Sequence, residues 1–178
     1  RWNTNVQSAL EAAAQARGIG PERLCFAPML PADQHLSRLA CADLYLDAWP
    51  CNAHTTASEA LWVGVPVVTV IGQTFAQRVA PSLLNALGLG ELVCGLVSDY
   101  EQRVRALAGN AAARTRLREH LLAQRGSALF DGARFARDIE SLYDPATNSW
   151  VKADLIDKMN SGRYSIINHL GHATYHYA

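Results

Sequence analysis

The chain has 178 residues, of which 49% are hydrophobic and 18% are charged, and its sixteen basic side chains balance sixteen acidic ones. This balance argues against nucleic acid or an anionic membrane surface as a partner. The longest apolar run, residues 61–71, contains Gly64 and Pro66 and is far shorter than the roughly 18 residues that span a bilayer. We therefore expect an ordinary globular protein with no membrane and no nucleic-acid partner.

The chain begins with Arg1 and shows no charged-then-apolar leader, so we expect a fragment of a longer cytoplasmic protein. The four cysteines, Cys25, Cys41, Cys51 and Cys94, show no CxxC spacing. Three of them lie beside apolar or aromatic residues, which predicts buried, free thiols in a reducing compartment.

Apolar periodicity and turn residues predict alternating helices and strands. Helices are expected at residues 5–17, 31–40, 56–62, 76–87, 99–107, 111–124 and 133–143, and strands at residues 24–28, 43–47, 66–71 and 91–94. The continuous β-branched stretch 66–71 is typical of a strand buried on both faces. The alternation predicts the α/β class, with a partial, Rossmann-like parallel sheet covered by helices on both faces.

Composition changes near residue 144. The first 143 residues contain 13 Arg and no Lys, whereas Lys152 and the other lysine lie in the last 28 residues. The stretch 144–149 is typical of a turn or linker. We expect two segments, residues 1–143 and residues 144–178, of different origin.

Ligands of such sheets bind beyond the carboxyl ends of the strands, where helices begin. The loop after Asp47 brings His54, Thr55 and Thr56 to the start of a helix, which is a natural anion site. Glu59, one turn later, can accept from vicinal ribose hydroxyls. The alternative is structural, because Thr56 and Glu59 also fit a T-x-x-E capping box.

The other loops are less specific. His35 follows an apolar loop and is either a base contact or a surface histidine, and Arg78 either neutralises a diphosphate or pairs with an acid of the fold. Cys51 and His54 lack the second ligand pair of a structural zinc site, so no metal is expected. The chain has neither a Gly-rich dinucleotide fingerprint nor a Walker lysine.

Several stretches carry a family resemblance: residues 23–28, 31–35 and 42–47, then CNAHTT (51–56) with Glu59, LWVGVP (61–66), VVT (67–69), RVA (78–80) and LFD (129–131). Over about residues 5–143 the chain resembles the carboxyl-terminal lobe of the O-linked N-acetylglucosamine transferases. These protein glycosyltransferases carry tetratricopeptide repeats before a two-lobed GT-B catalytic region. The resemblance therefore implies half of a GT-B fold.

The resemblance also implies a site for the donor substrate, UDP-N-acetylglucosamine, with no further cofactor. The implied UDP-sugar contacts are Leu30, whose backbone meets the uracil, His35 for the nucleoside, His54, Thr55 and Thr56 for the diphosphate, and Glu59 for the ribose. Transfer would be metal-independent, to a Ser or Thr hydroxyl of a protein acceptor.

Two departures from the family pattern lower the expected activity. Ala32 stands where the animal enzymes carry a donor-contacting lysine, and no lysine precedes Lys152. The family's diphosphate-neutralising lysine and a histidine of its amino-terminal lobe lie upstream of the residues present here. We expect weak UDP binding and negligible transfer by this chain without the amino-terminal catalytic lobe and the repeats.

The last 28 residues resemble another family. A helix at 152–160 and a strand at 164–168 lead into NHLGH, which is similar to the histidine loop of gingipain-type, caspase-like cysteine peptidases. That resemblance makes His172 the base, with its cysteine nucleophile absent, whereas a metal site of His169, His172 and His176 is not favoured. The alternatives to a glycosyltransferase are thus a peptidase fragment or a non-catalytic nucleotide-binding or interaction module.

Overall fold

The computed structural model describes residues 4–141, 143–144 and 149–150. The chain divides into two compact units, of which the first ends at Ser37 and the second begins at Arg38. None of the helices among the described residues is both long enough and apolar enough to cross a membrane.

The first unit begins with an alanine-rich helix, α1 (Thr4–Gln15), close to the predicted range of residues 5–17. A short 3-10 turn at Pro21–Arg23 follows, residues 24–31 have no regular structure, and α2 (Ala32–Leu39) comes next. The strand predicted at 24–28 is therefore wrong. No described strand pairs with this segment, and Pro28, like Pro31, lacks the N–H that a strand would donate.

A three-stranded parallel sheet forms the centre of the second unit. Its strands lie in the order β1 (Tyr45–Leu46), β2 (Val67–Val70) and β3 (Val93–Cys94). All four residues of β2 are buried, which means that both faces of the sheet are covered at its central strand. The predicted Rossmann-like α/β architecture, with helices on both faces of a parallel sheet, is confirmed.

The helices of this unit follow the strands in the expected alternation. The helix α3 (Thr55–Trp62) connects β1 to β2, and α4 (Val79–Ala86) connects β2 to β3. Three more helices follow β3 along the chain: α5 (Val97–Ala108), α6 (Ala111–Ala123) and α7 (Gly132–Glu140). The buried core joins these layers and includes Leu61, Val65, Val67, Val68, Leu84, Leu92 and Leu121.

Several expectations need correction. The helix predicted from residue 76 is interrupted, because a 3-10 turn at Phe75–Gln77 precedes α4. The last helix ends at Glu140 rather than Tyr143, because Tyr143 lies in β4 (Tyr143–Asp144), which pairs antiparallel with β5 (Ser149–Trp150). Of the four cysteines, only Cys94 is buried.

The elements predicted for the tail lie outside the described residues. These are the helix at 152–160, the strand at 164–168 and the histidine loop with His172. The division into residues 1–143 and 144–178 likewise stays a prediction.

Two helices of the second unit end in the same glycine motif. At the end of α3, Gly64 has φ +84° and Val65 N–H donates to Ala60 O (2.8 Å). At the end of α4, Gly88 has φ +72° and Leu89 N–H donates to Leu84 O (2.9 Å). Both are Schellman motifs that turn the chain from a helix towards the next strand.

The surroundings of the two glycines differ, and this gives a matched test of core packing. A Cβ atom at Gly64 would lie 3.0 Å from Leu122 Cδ2, whereas one at Gly88 would meet nothing within 4 Å. We expect Gly88→Ala to lower the free energy of unfolding by about 1 kcal/mol, the cost of left-handed backbone. Gly64→Ala is expected to cost about 1–3 kcal/mol more, from overpacking against α6. Equal losses in urea unfolding would contradict the packing of α3 on α6.

Candidate functional site

The carboxyl ends of the three parallel strands lie at one edge of the sheet, and a helix begins after each of them. Residues 47–54 connect β1 to α3, residues 71–78 connect β2 to α4, and Gly95 and Leu96 connect β3 to α5. Helix N-termini carry unpaired N–H groups and partial positive charge. This edge is therefore the place in the second unit where an anionic ligand is best received.

A buried carboxylate organises the first of these loops. Asp47, only 7% exposed, accepts hydrogen bonds at Oδ1 from Ala48 N–H (2.8 Å) and Ala53 N–H (2.7 Å). Its Oδ2 accepts from the hydroxyl of Thr69 in β2 (2.6 Å). Residues 48 and 53 are thus tied to a single side chain, which closes the loop before α3.

Burial raises the pKa of the Asp47 carboxyl above its usual range. The hydrogen bonds from Thr69, Ala53 and Ala48, and the nearby His54, act in the opposite direction without cancelling the effect of burial. The folded protein thus holds this proton more tightly than the unfolded chain does.

Asn52 connects the first loop to the second. Its Nδ2 atom donates to Ala48 O (3.4 Å) and Val70 O (3.3 Å), and its backbone N–H donates to Ala76 O (2.8 Å). The residue is only 4% exposed, and its Oδ1 atom is buried with no hydrogen-bond partner among the described residues.

His54 occupies the N-cap position of α3. Its backbone carbonyl accepts from Ser58 N–H (3.1 Å), and its side chain makes no capping hydrogen bond. The imidazole packs edge-on against the ring of Phe75 from the second loop, with 5.8 Å between ring centroids. Its Nε2 atom is buried and has no hydrogen-bond partner among the described residues. A polar atom in that condition is costly unless a ligand or water completes it.

The capping box predicted for Thr56 and Glu59 is wrong. The helix begins at Thr55, so Thr56 lies inside its first turn, and its Oγ1 accepts from the hydroxyl of Tyr45 (3.1 Å). Glu59 is half-buried one turn further along α3. A capping box does form in the second loop, between Thr74 and Gln77.

Arg78 lies at the start of α4 and is exposed. Its two predicted roles were a diphosphate contact or an ion pair within the fold. None of the ion pairs between described residues involves it, so the second role has no support in the described part of the chain.

The structure brings together four of the six predicted contact residues, His54, Thr55, Thr56 and Glu59, at the start of α3. The other two belong to the first unit: Leu30 is half-buried before α2, and His35 is half-buried within it. No group of three His, Cys, Asp or Glu side chains among the described residues could hold a metal ion.

Sequence reasoning gave no role to Asp47, Asn52 or Phe75. The signal for Asp47 was present, because it is an acidic residue at the end of the predicted strand 43–47, directly after the apolar stretch 44–46, and it is buried in the fold. The contacts of Asn52 and Phe75 join two loops that lie some twenty residues apart in the chain, and no local pattern encodes them.

Comparison with known proteins identifies relatives of the chain. The family model described as glycosyl transferase family 41 matches residues 1–139. An Arabidopsis thaliana protein named as a probable UDP-N-acetylglucosamine–peptide N-acetylglucosaminyltransferase is 36% identical over 132 residues, which are 73% of this chain and 14% of that protein. A Caenorhabditis elegans protein named as a UDP-N-acetylglucosamine–peptide N-acetylglucosaminyltransferase is 36% identical over 127 residues, 71% of this chain and 11% of its own length.

A solved structure of a Thermobaculum terrenum O-GlcNAc transferase mutant is also similar, with a TM-score of 0.64 and 32% identity. The match covers 93% of this chain and 29% of that one. The chain thus spans only a small part of its relatives. The match supports the interpretation of its fold as half of a GT-B arrangement.

Removal of the Asp47 carboxylate tests its structural role. We expect Asp47→Ala to lower the free energy of unfolding by about 3 kcal/mol or more, because the Ala48 and Ala53 N–H groups and the Thr69 hydroxyl lose their acceptor. Asp47→Asn is the matched variant, since its Oδ1 can still accept from both N–H groups and its Nδ2 can donate to the hydroxyl. An Asn variant as unstable as the Ala variant would contradict this account.

The raised pKa of Asp47 predicts a pH dependence. Because the folded state binds the proton more tightly, this carboxyl contributes stability at low pH that is lost as pH rises through its folded pKa. The stability of Asp47→Asn relative to the unaltered chain is therefore expected to increase as pH rises from about 4, the ordinary pKa of an aspartate. Urea unfolding at a series of pH values measures this difference, and a decrease with rising pH would contradict the expectation.

Proposed function

The chain belongs to glycosyl transferase family 41, and we propose that it binds the donor nucleotide sugar UDP-N-acetylglucosamine, with the diphosphate at the start of α3. The names of the Arabidopsis and nematode relatives support this donor. In the complete enzyme, the sugar would pass to a serine or threonine hydroxyl of a protein.

The observation that carries the proposal is the condition of His54. Its Nε2 atom is buried and has no hydrogen-bond partner in the described part of the chain. It lies at the N-terminus of a helix, where backbone N–H groups and the helix dipole already favour an anion. A diphosphate oxygen would accept a hydrogen bond from this nitrogen. Thr55 and Thr56 would add their donors at the same helix end.

Other residues would bind the rest of the nucleotide. Glu59, half-buried on α3, would accept hydrogen bonds from the ribose hydroxyls. Arg78, exposed at the start of α4 and without an ion-pair partner among the described residues, is available to the diphosphate.

Sugar transfer would break the bond between C1 of the sugar and the diphosphate oxygen, and C1 would bond to the acceptor hydroxyl. The electron pair and negative charge pass to UDP, and the hydroxyl proton passes to a base. Donors already in place at the diphosphate stabilise that charge as it develops. The residues of α3 therefore hold the leaving group, without a metal ion in this scheme.

Further groups are needed for efficient transfer. Residues 1–151 contain no lysine, so a lysine that neutralises the diphosphate has to come from outside them. The base and the acceptor site also have no assigned residue here. We therefore propose weak UDP binding and negligible transfer by this chain by itself, and activity in the context of the amino-terminal lobe.

If the protein is instead a non-catalytic nucleotide-binding module, it is expected to bind UDP in the same way. It differs from a glycosyltransferase only in that it does not transfer the sugar. The peptidase alternative depends on His172 and its neighbours, which lie outside the described residues. Transfer of N-acetylglucosamine to peptides, assayed with the complete protein, separates an enzyme from a binding module.

Calorimetric titration with UDP and with uridine tests the proposed site. We expect UDP to bind more tightly than uridine, because only UDP carries the diphosphate. His54→Ala is expected to weaken UDP binding about tenfold, the effect of one lost charge-assisted hydrogen bond, with little effect on uridine. His120→Ala is the matched control, since His120 lies on α6 outside the proposed site and its Nε2 atom already pairs with Leu87 O (2.8 Å).

Equal binding of UDP and uridine, or equal effects of His54→Ala and His120→Ala, would contradict the diphosphate site. Glu59→Gln provides a separate measurement for the ribose contact. This variant is expected to weaken both UDP and uridine, whereas Glu101→Gln on the surface of α5 should weaken neither.

A further inference from the structure

Asn52 makes contacts to three separate segments from a buried position. Its side-chain amide reaches Ala48 in its own loop and Val70 at the end of β2, and its backbone N–H reaches Ala76 in the following loop. The first loop leads into His54, and the second carries Phe75 and Arg78. One residue therefore links the two loops that would receive the diphosphate.

We propose that Asn52 is a positioning residue of the donor site. It holds the loop of residues 48–54 against the loop of residues 71–78, so that His54 and Arg78 meet the same ligand. This inference rests on the proposed function for the identity of that ligand, the diphosphate of a nucleotide sugar.

The chemistry of Asn52 favours this role over simple filling of the core. An apolar side chain of similar volume would fill the same space without the free-energy cost of burying an Oδ1 atom that has no partner among the described residues. The amide adds directed hydrogen bonds to two carbonyl oxygens of different segments, Ala48 and Val70. These bonds fix the register of one segment against the other.

The position of one loop against the other determines how the His54 ring packs on the ring of Phe75. The two rings come from different loops, and their centroids are 5.8 Å apart. A shift of either loop changes this contact and the direction of the His54 Nε2 atom. Misplacement of about 1 Å in a binding group is enough to reduce its effect strongly.

A double-mutant cycle on UDP binding tests the proposal. We expect Asn52→Ala to raise the Kd for UDP about tenfold, the effect typical of a residue that orients a ligand-binding side chain. In the Asn52→Ala background, His54→Ala is expected to add little, because the imidazole is already misplaced. Full additivity of the two effects would overturn the positioning role.

Gly88→Ala separates positioning from loss of stability. This substitution strains the backbone at the end of α4, which takes no part in the proposed site. The added Cβ meets nothing within 4 Å, so it makes no new contact with neighbouring side chains. Measured at a temperature where both single variants are folded, Gly88→Ala is expected to leave the Kd for UDP unchanged. An equal rise in Kd for both variants would mean that Asn52 acts only through stability.

Asn52→Asp tests the amide donors by their dependence on pH. Its carboxylate cannot donate to the carbonyls of Ala48 and Val70, whereas its protonated form regains one donor. The ratio of the Kd of this variant to that of the unaltered chain is therefore expected to fall as pH is lowered from 8 to 5, a range about three units wide that covers raised carboxyl pKa values. A constant ratio would count against the role of the amide donors.

Amide hydrogen exchange measured without ligand separates a failure of the Asn52 proposal from a failure of the proposed UDP binding. In Asn52→Ala we expect faster exchange at Ala53 N–H in the first loop and at Gly72 N–H in the second, with Leu89 N–H unchanged. Unchanged exchange at Ala53 and Gly72 would overturn the link between the loops. Absence of UDP binding by the unaltered chain would instead overturn the proposed function, and with it the donor role of Asn52.

Discussion

The buried carboxylate of Asp47 holds together the end of β1, the loop that follows it and the central strand. Its two oxygens accept from the Ala48 and Ala53 N–H groups and from the Thr69 hydroxyl, although burial disfavours its charge. The position of His54 at the start of α3 depends on this arrangement, because the loop that Asp47 closes ends directly before it. The geometry of the proposed anion site at the start of α3 thus depends on one desolvated acid and its three donors.

Much of this architecture can be predicted from the sequence, because its causes are local. The β-branched stretch 66–71 contains β2 (Val67–Val70), and all four residues of this strand are buried, as the pattern indicates. The segment 24–28 has the composition of a strand and fails to become one, because a strand also needs a partner that composition does not specify. The helix α3 begins at Thr55, one residue before its predicted start at Thr56. Thr56 therefore lies inside the first turn and does not form the predicted capping box with Glu59.

The candidate site divides in the same way. His54, Thr55, Thr56 and Glu59 lie within six residues at the start of one helix, so their grouping is visible in the sequence. The link through Asn52 and the packing of Phe75 on His54 are contacts between segments, and only the folded chain shows them. The chain belongs to glycosyl transferase family 41 and spans only a small part of its relatives.

In the proposed site, the Nε2 atom of His54 meets a diphosphate. The most direct test of this contact is the ¹⁵N resonance of His54 Nε2, followed by NMR while the chain is titrated with UDP and, separately, with uridine. The account predicts that the resonance moves with saturation by UDP and stays in place with uridine, while the resonance of His120 Nε2 remains unchanged in both titrations. Saturable UDP binding that leaves the His54 resonance unmoved would place the diphosphate elsewhere and contradict the account.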